Sequence, residues 1–162
     1  MTEKCNGNIQ EYYDKEKIIL LREYYIFNDK REGESKTYWN NGLLKIIFNY
    51  KNNKKEGEYK SYYENEQLME ICNHKNNKRK GEYKSYHKNG QLEIICNYKN
   101  NEKEGEYKRY YINGQLSIMC NYKNNKLEGE YKQYGIYGEL WKLCNYKNGE
   151  KEEEYKRYHE ND

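Results

Sequence analysis

Aromatic and polar positions alternate along this chain with a fixed period. Gly57-Glu58-Tyr59-Lys60-Ser61-Tyr62 returns as Gly81-Glu82-Tyr83-Lys84-Ser85-Tyr86, then as Gly105-Glu106-Tyr107-Lys108-Arg109-Tyr110, then as Gly129-Glu130-Tyr131-Lys132-Gln133-Tyr134, each 24 residues after the last. Aligned on the glycines at 33, 57, 81, 105 and 129, a repeat holds a strand-like run of Tyr and charged residues, a turn, a second run that opens on Leu, and another turn. Alternation at period two predicts half-buried strands, and a short fixed repeat predicts that each copy is one supersecondary unit stacked on its neighbour. The repetition also argues against a catalytic centre, which needs unlike groups converging on one point.

Two turn signals divide the repeat. Asn41-Gly42, Asn89-Gly90 and Asn113-Gly114 predict type I′ hairpin turns, in which both central residues take φ > 0. Asn52-Asn53, Asn76-Asn77, Asn100-Asn101, Asn124-Asn125 and Asn148-Gly149 mark the second turn, since Asn is the best L residue for that region. With two-residue loops at both turns, the period splits evenly into two strand-plus-turn halves, and every residue type returns to its own face. The arithmetic sets Tyr63 opposite Leu68, Ser61 opposite Glu70 and Tyr59 opposite Cys72, then Cys72 opposite Gly81 and Leu68 opposite Ser85. One face then carries Tyr59, Tyr63, Leu68 and Cys72; the other carries Glu58, Lys60, Tyr62, Ile71 and Asn73. The expected fold is all-β, an elongated single-layer antiparallel β-meander of β-hairpin repeats. Residues 1–32 form a degenerate N-terminal repeat or cap, in which Gly7, Tyr12 and Tyr13 echo Gly33, Tyr38 and Trp39 at a spacing of 26. Residues 33–152 form five tandem repeats, and 153–162 a partial repeat or cap whose charged final strand discourages pairing with another chain.

Composition sharpens this picture. Aliphatic residues are scarce, which would suggest disorder, but 22 tyrosines, a net charge of only +3 and the absence of proline favour a thin, aromatic-rich sheet with an uninterrupted ladder. No apolar run reaches the length of a membrane span and the first residues lack a signal-peptide pattern, so the expectation is an intracellular, soluble protein that is not secreted. Heavy use of Asn, Lys, Ile and Tyr is what AT-rich coding sequence produces.

The Gly-Glu-Tyr starts, the Asn-Gly turns, the column Leu44, Leu68, Leu92, Leu116 and Leu140, and Tyr50, Tyr98, Tyr122 and Tyr146 resemble MORN-type repeats, and more closely the divergent variant of that repeat. The resemblance covers residues 33–160 well and the first 32 weakly. It departs from the better-known pattern in its 24-residue length and in having few second-strand glycines. It implies an elongated, non-catalytic β-sheet used in protein contacts, with lipid binding also described. Similar repeat proteins abound in giant DNA viruses, which would place the protein in host cytoplasm or virion.

The candidate sites are columns. Cys72, Cys96, Cys120 and Cys144 are expected roughly 9.5 Å apart, two strand spacings, which is too far for disulfides. No C-x-x-C starts a zinc site, and Phe48 fills the same slot in the first full repeat. No metal and no cofactor are therefore expected. His74, His87 and His159 sit in slots held elsewhere by Tyr and are read as aromatic substitutes. The repeated glutamates are read as partners of lysines in cross-strand ion pairs. Tyr59, Tyr83, Tyr107 and Tyr131, Tyr62, Tyr86, Tyr110 and Tyr134, and Lys60, Lys84, Lys108 and Lys132 form the candidate binding surface. The leading expectation is a non-enzymatic scaffold that presents Tyr and Leu ladders to a protein partner or to another copy. The alternative is binding of anionic lipid or nucleic acid through those lysines and Lys156. Nucleic acid is the less expected partner because Glu flanks each Lys and the charges nearly cancel.

Overall fold

A computed structural model of the chain describes residues 6–157, with side chains described as far as residue 152. All its regular structure is β, in fourteen strands among the described residues, and neighbouring strands run antiparallel in sequence order. The chain divides into two compact units, Met1–Lys78 and Arg79–Asp162. In the first unit β1 (Gly7–Tyr12), β2 (Leu20–Phe27), β3 (Lys30–Tyr38), β4 (Leu44–Lys51), β5 (Lys54–Tyr62) and β6 (Leu68–Lys75) follow one another as a meander. In the second, β7 (Lys78–Tyr86), β8 (Leu92–Lys99), β9 (Glu102–Tyr110) and β10 (Leu116–Lys123) lead to β12 (Gly129–Tyr134), β13 (Leu140–Lys147) and β14 (Glu150–Arg157), with the two-residue β11 (Lys126–Leu127) also paired to β10. The predicted all-β meander of 24-residue hairpins is the observed architecture.

The two kinds of turn solve different problems. At Asn52-Asn53 both residues hold φ > 0, at 51° and 65°, and Lys51 pairs directly with Lys54, which is the type I′ turn whose twist matches the strands. Each second asparagine does more than tolerate that backbone. Asn53 donates its N–H to the Arg31 carbonyl at 3.0 Å, and its Oδ1 accepts from the Arg31 N–H at 2.6 Å. Asn77 makes the same pair with Lys55, Asn101 with Arg79, and Asn125 with Lys103. The first turn residue is held too, since Asn52, Asn76, Asn124 and Asn148 donate to the carboxylates of Glu32, Glu56, Glu104 and Glu128.

The Asn-Gly turn is not type I′, a correction to the sequence expectation. Asn41 has no positive φ, whereas Gly42 lies at 82°. Gly42 donates to the Trp39 carbonyl and Trp39 donates to the Leu43 carbonyl, the pattern of a type I turn closed by a left-handed bulge residue in a three-residue loop. The extra residue shifts the register, so that Leu68 lies opposite Tyr62 rather than Tyr63. The asparagine instead caps its own loop, as where Asn113 Oδ1 accepts from the Gln115 N–H. Its Nδ2 donates onward to the Ile136 carbonyl in the next turn.

A second irregularity lies at the repeated glycine. Phe48 opposes Tyr59 and Cys96 opposes Tyr107, where even spacing expected Gly57 and Gly105. Both glycines sit at positive φ in a bulge, and Tyr50 next meets Lys55, so the bulge inserts two residues. An insertion of two leaves the alternation of faces intact, which is why the columns survive it. The N-terminal repeat, 26 residues in spacing, takes up its excess in the loop after β1. There the Asp14 carboxylate accepts from the N–H groups of Ile18 and Ile19, which hold its pKa below the usual value.

Glu66 occupies the left-handed position at φ 63° where the other Asn-Gly loops place glycine. An L residue there is strained, so Glu66→Gly is expected to raise stability by about 0.5–1 kcal/mol after allowance for the freer unfolded chain. Gly90→Ala is expected to lower it by about 1 kcal/mol or more. Urea unfolding monitored by circular dichroism reads both, and a drop in stability for the Glu66 variant would refute the assignment.

Candidate interaction surface

Residues two apart on a strand, and residues directly opposed across a pair, share a face, so the observed register sorts the candidate columns. Tyr59, Ser61, Glu70 and Cys72 form one face, with Phe48 and Ile46 across the other edge of β5. This face contains the core. Cys72, Cys96, Cys120 and Cys144 are buried cysteines outside any disulfide, Ser61 and Ser35 are fully buried, and Tyr107 is buried between Cys96 and Cys120. Rings close over the small residues in edge-on pairs: Tyr83 with Tyr98 and Tyr107 with Tyr122, both at 5.6 Å, Tyr131 with Tyr146, and Tyr59 with His74. His74 thus serves as the aromatic substitute expected of it. Burial pushes the Tyr59 and Tyr107 phenols up to about 12 and the Cys120 thiol up to about 11, and raises Cys96 as well.

A column that the sequence analysis did not single out lies over these rings. The Lys103 ammonium stands 4.8 Å from the Tyr107 ring centre and 4.9 Å from that of Tyr122. Arg79 covers Tyr83 and Tyr98, Lys55 covers Phe48 and Tyr59, and Arg31 covers Tyr24 and Tyr50. Where this slot becomes Leu127, Lys142 from β13 stands over Tyr131 instead. The signal was present in the sequence as a cation two residues before Gly33, Gly57, Gly81 and Gly105. Alternation alone puts it on the aromatic face; the two-residue bulge sets Tyr59, rather than Gly57, opposite Phe48 beside it.

The opposite face carries the lysine candidates, and each is ion-paired. Lys60 meets Glu58 at 2.5 Å, Lys84 meets Glu82 at 2.6 Å, Lys108 meets Glu106 at 2.7 Å and Lys132 meets Glu130 at 2.5 Å. These hydrogen bonds raise all four lysine pKa values. The pairs run along one strand between residues two apart, not across strands as expected. Beside them, Tyr62 opposes Leu68, Tyr86 opposes Leu92, Tyr110 opposes Leu116 and Tyr134 opposes Leu140, all half-buried. Leu68 was expected beside Tyr59 and Cys72; the one-residue bulge moves it and its equivalents to the Tyr62 face. The candidate tyrosines separate as alternation expected, with Tyr59, Tyr83, Tyr107 and Tyr131 packed in the aromatic face and Tyr62, Tyr86, Tyr110 and Tyr134 on the other, now beside the leucines. The Lys156 side chain and His159 lie outside the described residues.

Tyr63 belongs to neither face, since its N–H closes the turn onto the Gln67 carbonyl. Its equivalents brace neighbouring hairpins. Trp39 Nε1 donates to the Tyr62 carbonyl, Tyr111 Oη to the Tyr134 carbonyl, and His87 Nε2 lies 3.0 Å from the Tyr110 carbonyl. His87 thus replaces both the ring and the donor of the tyrosine slot. Gly135 has no ring to offer, and Trp141 and Glu139 lie over it.

Among the described residues no group of His, Cys, Asp and Glu could hold a metal ion, and no helix is long and apolar enough to cross a membrane. Residues 31–52, 55–76, 79–100 and 103–124 match the family described as MORN repeat variant, together more than half of the chain. No curated protein matches it.

The raised phenol and thiol pKa values set an alkaline limit. Groups held protonated by the fold contribute fully below their unfolded pKa values and lose that contribution as pH rises through the folded ones. Stability is therefore expected to fall between about pH 9 and 12, read by urea unfolding at stepped pH beside tyrosinate absorbance. Tyr107→Phe should reduce that loss. A flat profile across the window would overturn the assignment.

Proposed function

The chain belongs to the MORN repeat variant family, a non-catalytic repeat type whose members mediate interactions or bind membranes, and from that premise we propose that it is a protein-binding scaffold acting through the Tyr–Leu face. The observation that carries this reading is the cross-strand pairing of Tyr86 with Leu92, Tyr110 with Leu116 and Tyr134 with Leu140 in the second unit, repeated by Tyr38 with Leu44 and Tyr62 with Leu68 in the first. Each pair leaves an aromatic and an aliphatic side chain partly exposed on a rigid strand. Tyr supplies contact area with a polar tip at low entropic cost, which suits it to protein interfaces. The Glu–Lys pairs alongside cancel their own charge, so they form a polar rim rather than a cationic field. The tyrosines of the other face draw less support as contacts, because ring pairing and cation cover already occupy them.

Anionic lipid or nucleic acid bound through Lys60, Lys84, Lys108 and Lys132 is the weaker reading. Every one of those ammonium groups has a carboxylate partner within 2.7 Å, and a phosphate would have to displace it. Retention depending on phosphate contacts would fall steeply with salt.

The test compares the full chain with Tyr86→Ser/Tyr110→Ser/Tyr134→Ser by proximity labelling in the native cell. In parallel, both proteins are passed over heparin and over phosphatidylserine vesicles at low and moderate salt. The expected result is a defined set of labelled proteins lost in the triple variant, with little retention on either anionic surface. Salt-sensitive retention that is unchanged in the triple variant, without a labelled set, would overturn the reading.

A further inference from the structure

The two terminal strands of the described chain are written very differently. Seven of the eight residues of β14 are charged, which is a standard guard for an exposed edge. β1, Gly7-Asn8-Ile9-Gln10-Glu11-Tyr12, pairs with β2 on one side and with no other described strand. Its single charge is used internally: the Glu11 carboxylate accepts from the Arg22 guanidinium and the Tyr24 hydroxyl, and the Arg22 bond holds its pKa down. The register to β2 runs without a break from Gly7 to Glu11, so no bulge turns this strand away. Neither proline nor lysine protects it.

The difference is most specific at two positions. In the strands that begin later repeats, the pair two residues apart on the charged face is Glu34–Lys36, Glu58–Lys60, Glu82–Lys84, Glu106–Lys108 and Glu130–Lys132. In β1 the same slots hold Asn8 and Gln10, both exposed and both neutral, with Gln10 Oε1 accepting from the Tyr12 hydroxyl at 2.9 Å. A Glu–Lys pair neutralises itself within its own strand, whereas a carboxamide carries two N–H donors beside its oxygen, so that the Gln10 Nε2 can donate across strands while its oxygen holds Tyr12.

We infer that β1 is a homodimerisation edge, pairing antiparallel with β1 of a second copy about a two-fold axis at Ile9. In that register Asn8 lies opposite Gln10 of the other copy and Gln10 opposite Asn8, so two amide pairs flank an apolar contact on the axis. Two-fold strand pairing is self-complementary and closes after two copies. The acidic run Glu152-Glu153-Glu154 in β14 has no cationic counterpart in β1, which disfavours head-to-tail growth through the two ends. The edge uses none of Tyr86, Tyr110 and Tyr134, so neither reading depends on the other.

Sedimentation equilibrium of the full chain over a range of concentrations is expected to show a monomer–dimer equilibrium. Asn8→Lys/Gln10→Lys places Lys opposite Lys at both pairs and should weaken the dimer by about tenfold or more, as should Asn8→Glu/Gln10→Glu. Mixing the two variants should restore a dimer, now mixed, because each Lys then faces a Glu. Circular dichroism spectra matching the parent confirm that both variants fold. A parent that stays monomeric throughout, a dimer that survives the Lys pair, or a mixture that does not reassociate would each overturn the inference.

Discussion

Asn53, Asn77, Asn101 and Asn125 each hold a left-handed backbone and, at the same time, spend their N–H and carboxamide oxygen on the residue 22 positions earlier. Few residues can do both. Glycine takes the conformation but has no side chain: Gly149 keeps the N–H bond to Leu127 and nothing more. A β-branched or bulky residue would be strained at that φ. The two bonds lock each turn to the one before it, so the distance along the chain between turns cannot drift. The columns of Tyr, Cys, Ser and Lys follow from that lock, since a one-residue slip would move them all to the opposite face.

The lock allows a very polar chain to fold with a core that is one side chain deep. Cysteine and serine are buried because they are small enough to lie beneath a ring, and the rings of Tyr83, Tyr98, Tyr107 and Tyr122 form the lid. Arg79 and Lys103 then cover the rings, the Arg79 guanidinium over Tyr83 and the Lys103 ammonium over Tyr107. The protein thus uses cations where a larger domain would use a second layer of hydrophobes. On the other face Glu and Lys neutralise each other along the strand, leaving the half-exposed Tyr–Leu pairs as its apolar feature.

The resulting division of labour between faces bears on function. The aromatic face is occupied by its own packing, and the charged face carries balanced charge with an apolar stripe between. That combination underlies the proposal of a protein-binding surface, and the family to which the chain belongs is a repeat type without catalytic chemistry. The Asn8 and Gln10 substitution in β1 is a local exception to the charge pattern, and an exception at an edge is where pairing with another chain becomes possible.

The amino-acid sequence by itself determined the repeat length, the strand content, the order of turns and the fate of the cysteines. Each of these depends only on local backbone preference and on a periodicity of two. Asn52-Asn53 was legible as a type I′ turn because both residues tolerate φ > 0. Asn41-Gly42 was not legible as a three-residue loop, because Gly satisfies either turn and the choice is made by hydrogen bonds from Trp39 across to Leu43. The extra loop residue carried Leu44, and Leu68 after the equivalent loop, to the face of Tyr38 and Tyr62. The two-residue bulge at Gly57 left Lys55 on the ring face, where alternation places it, and decided that Tyr59 rather than Gly57 stands opposite Phe48. Bulges depend on pairing between strands and not on the identity of one residue, so only the tertiary structure decided which residues stand opposite one another across strands and which face the leucines join.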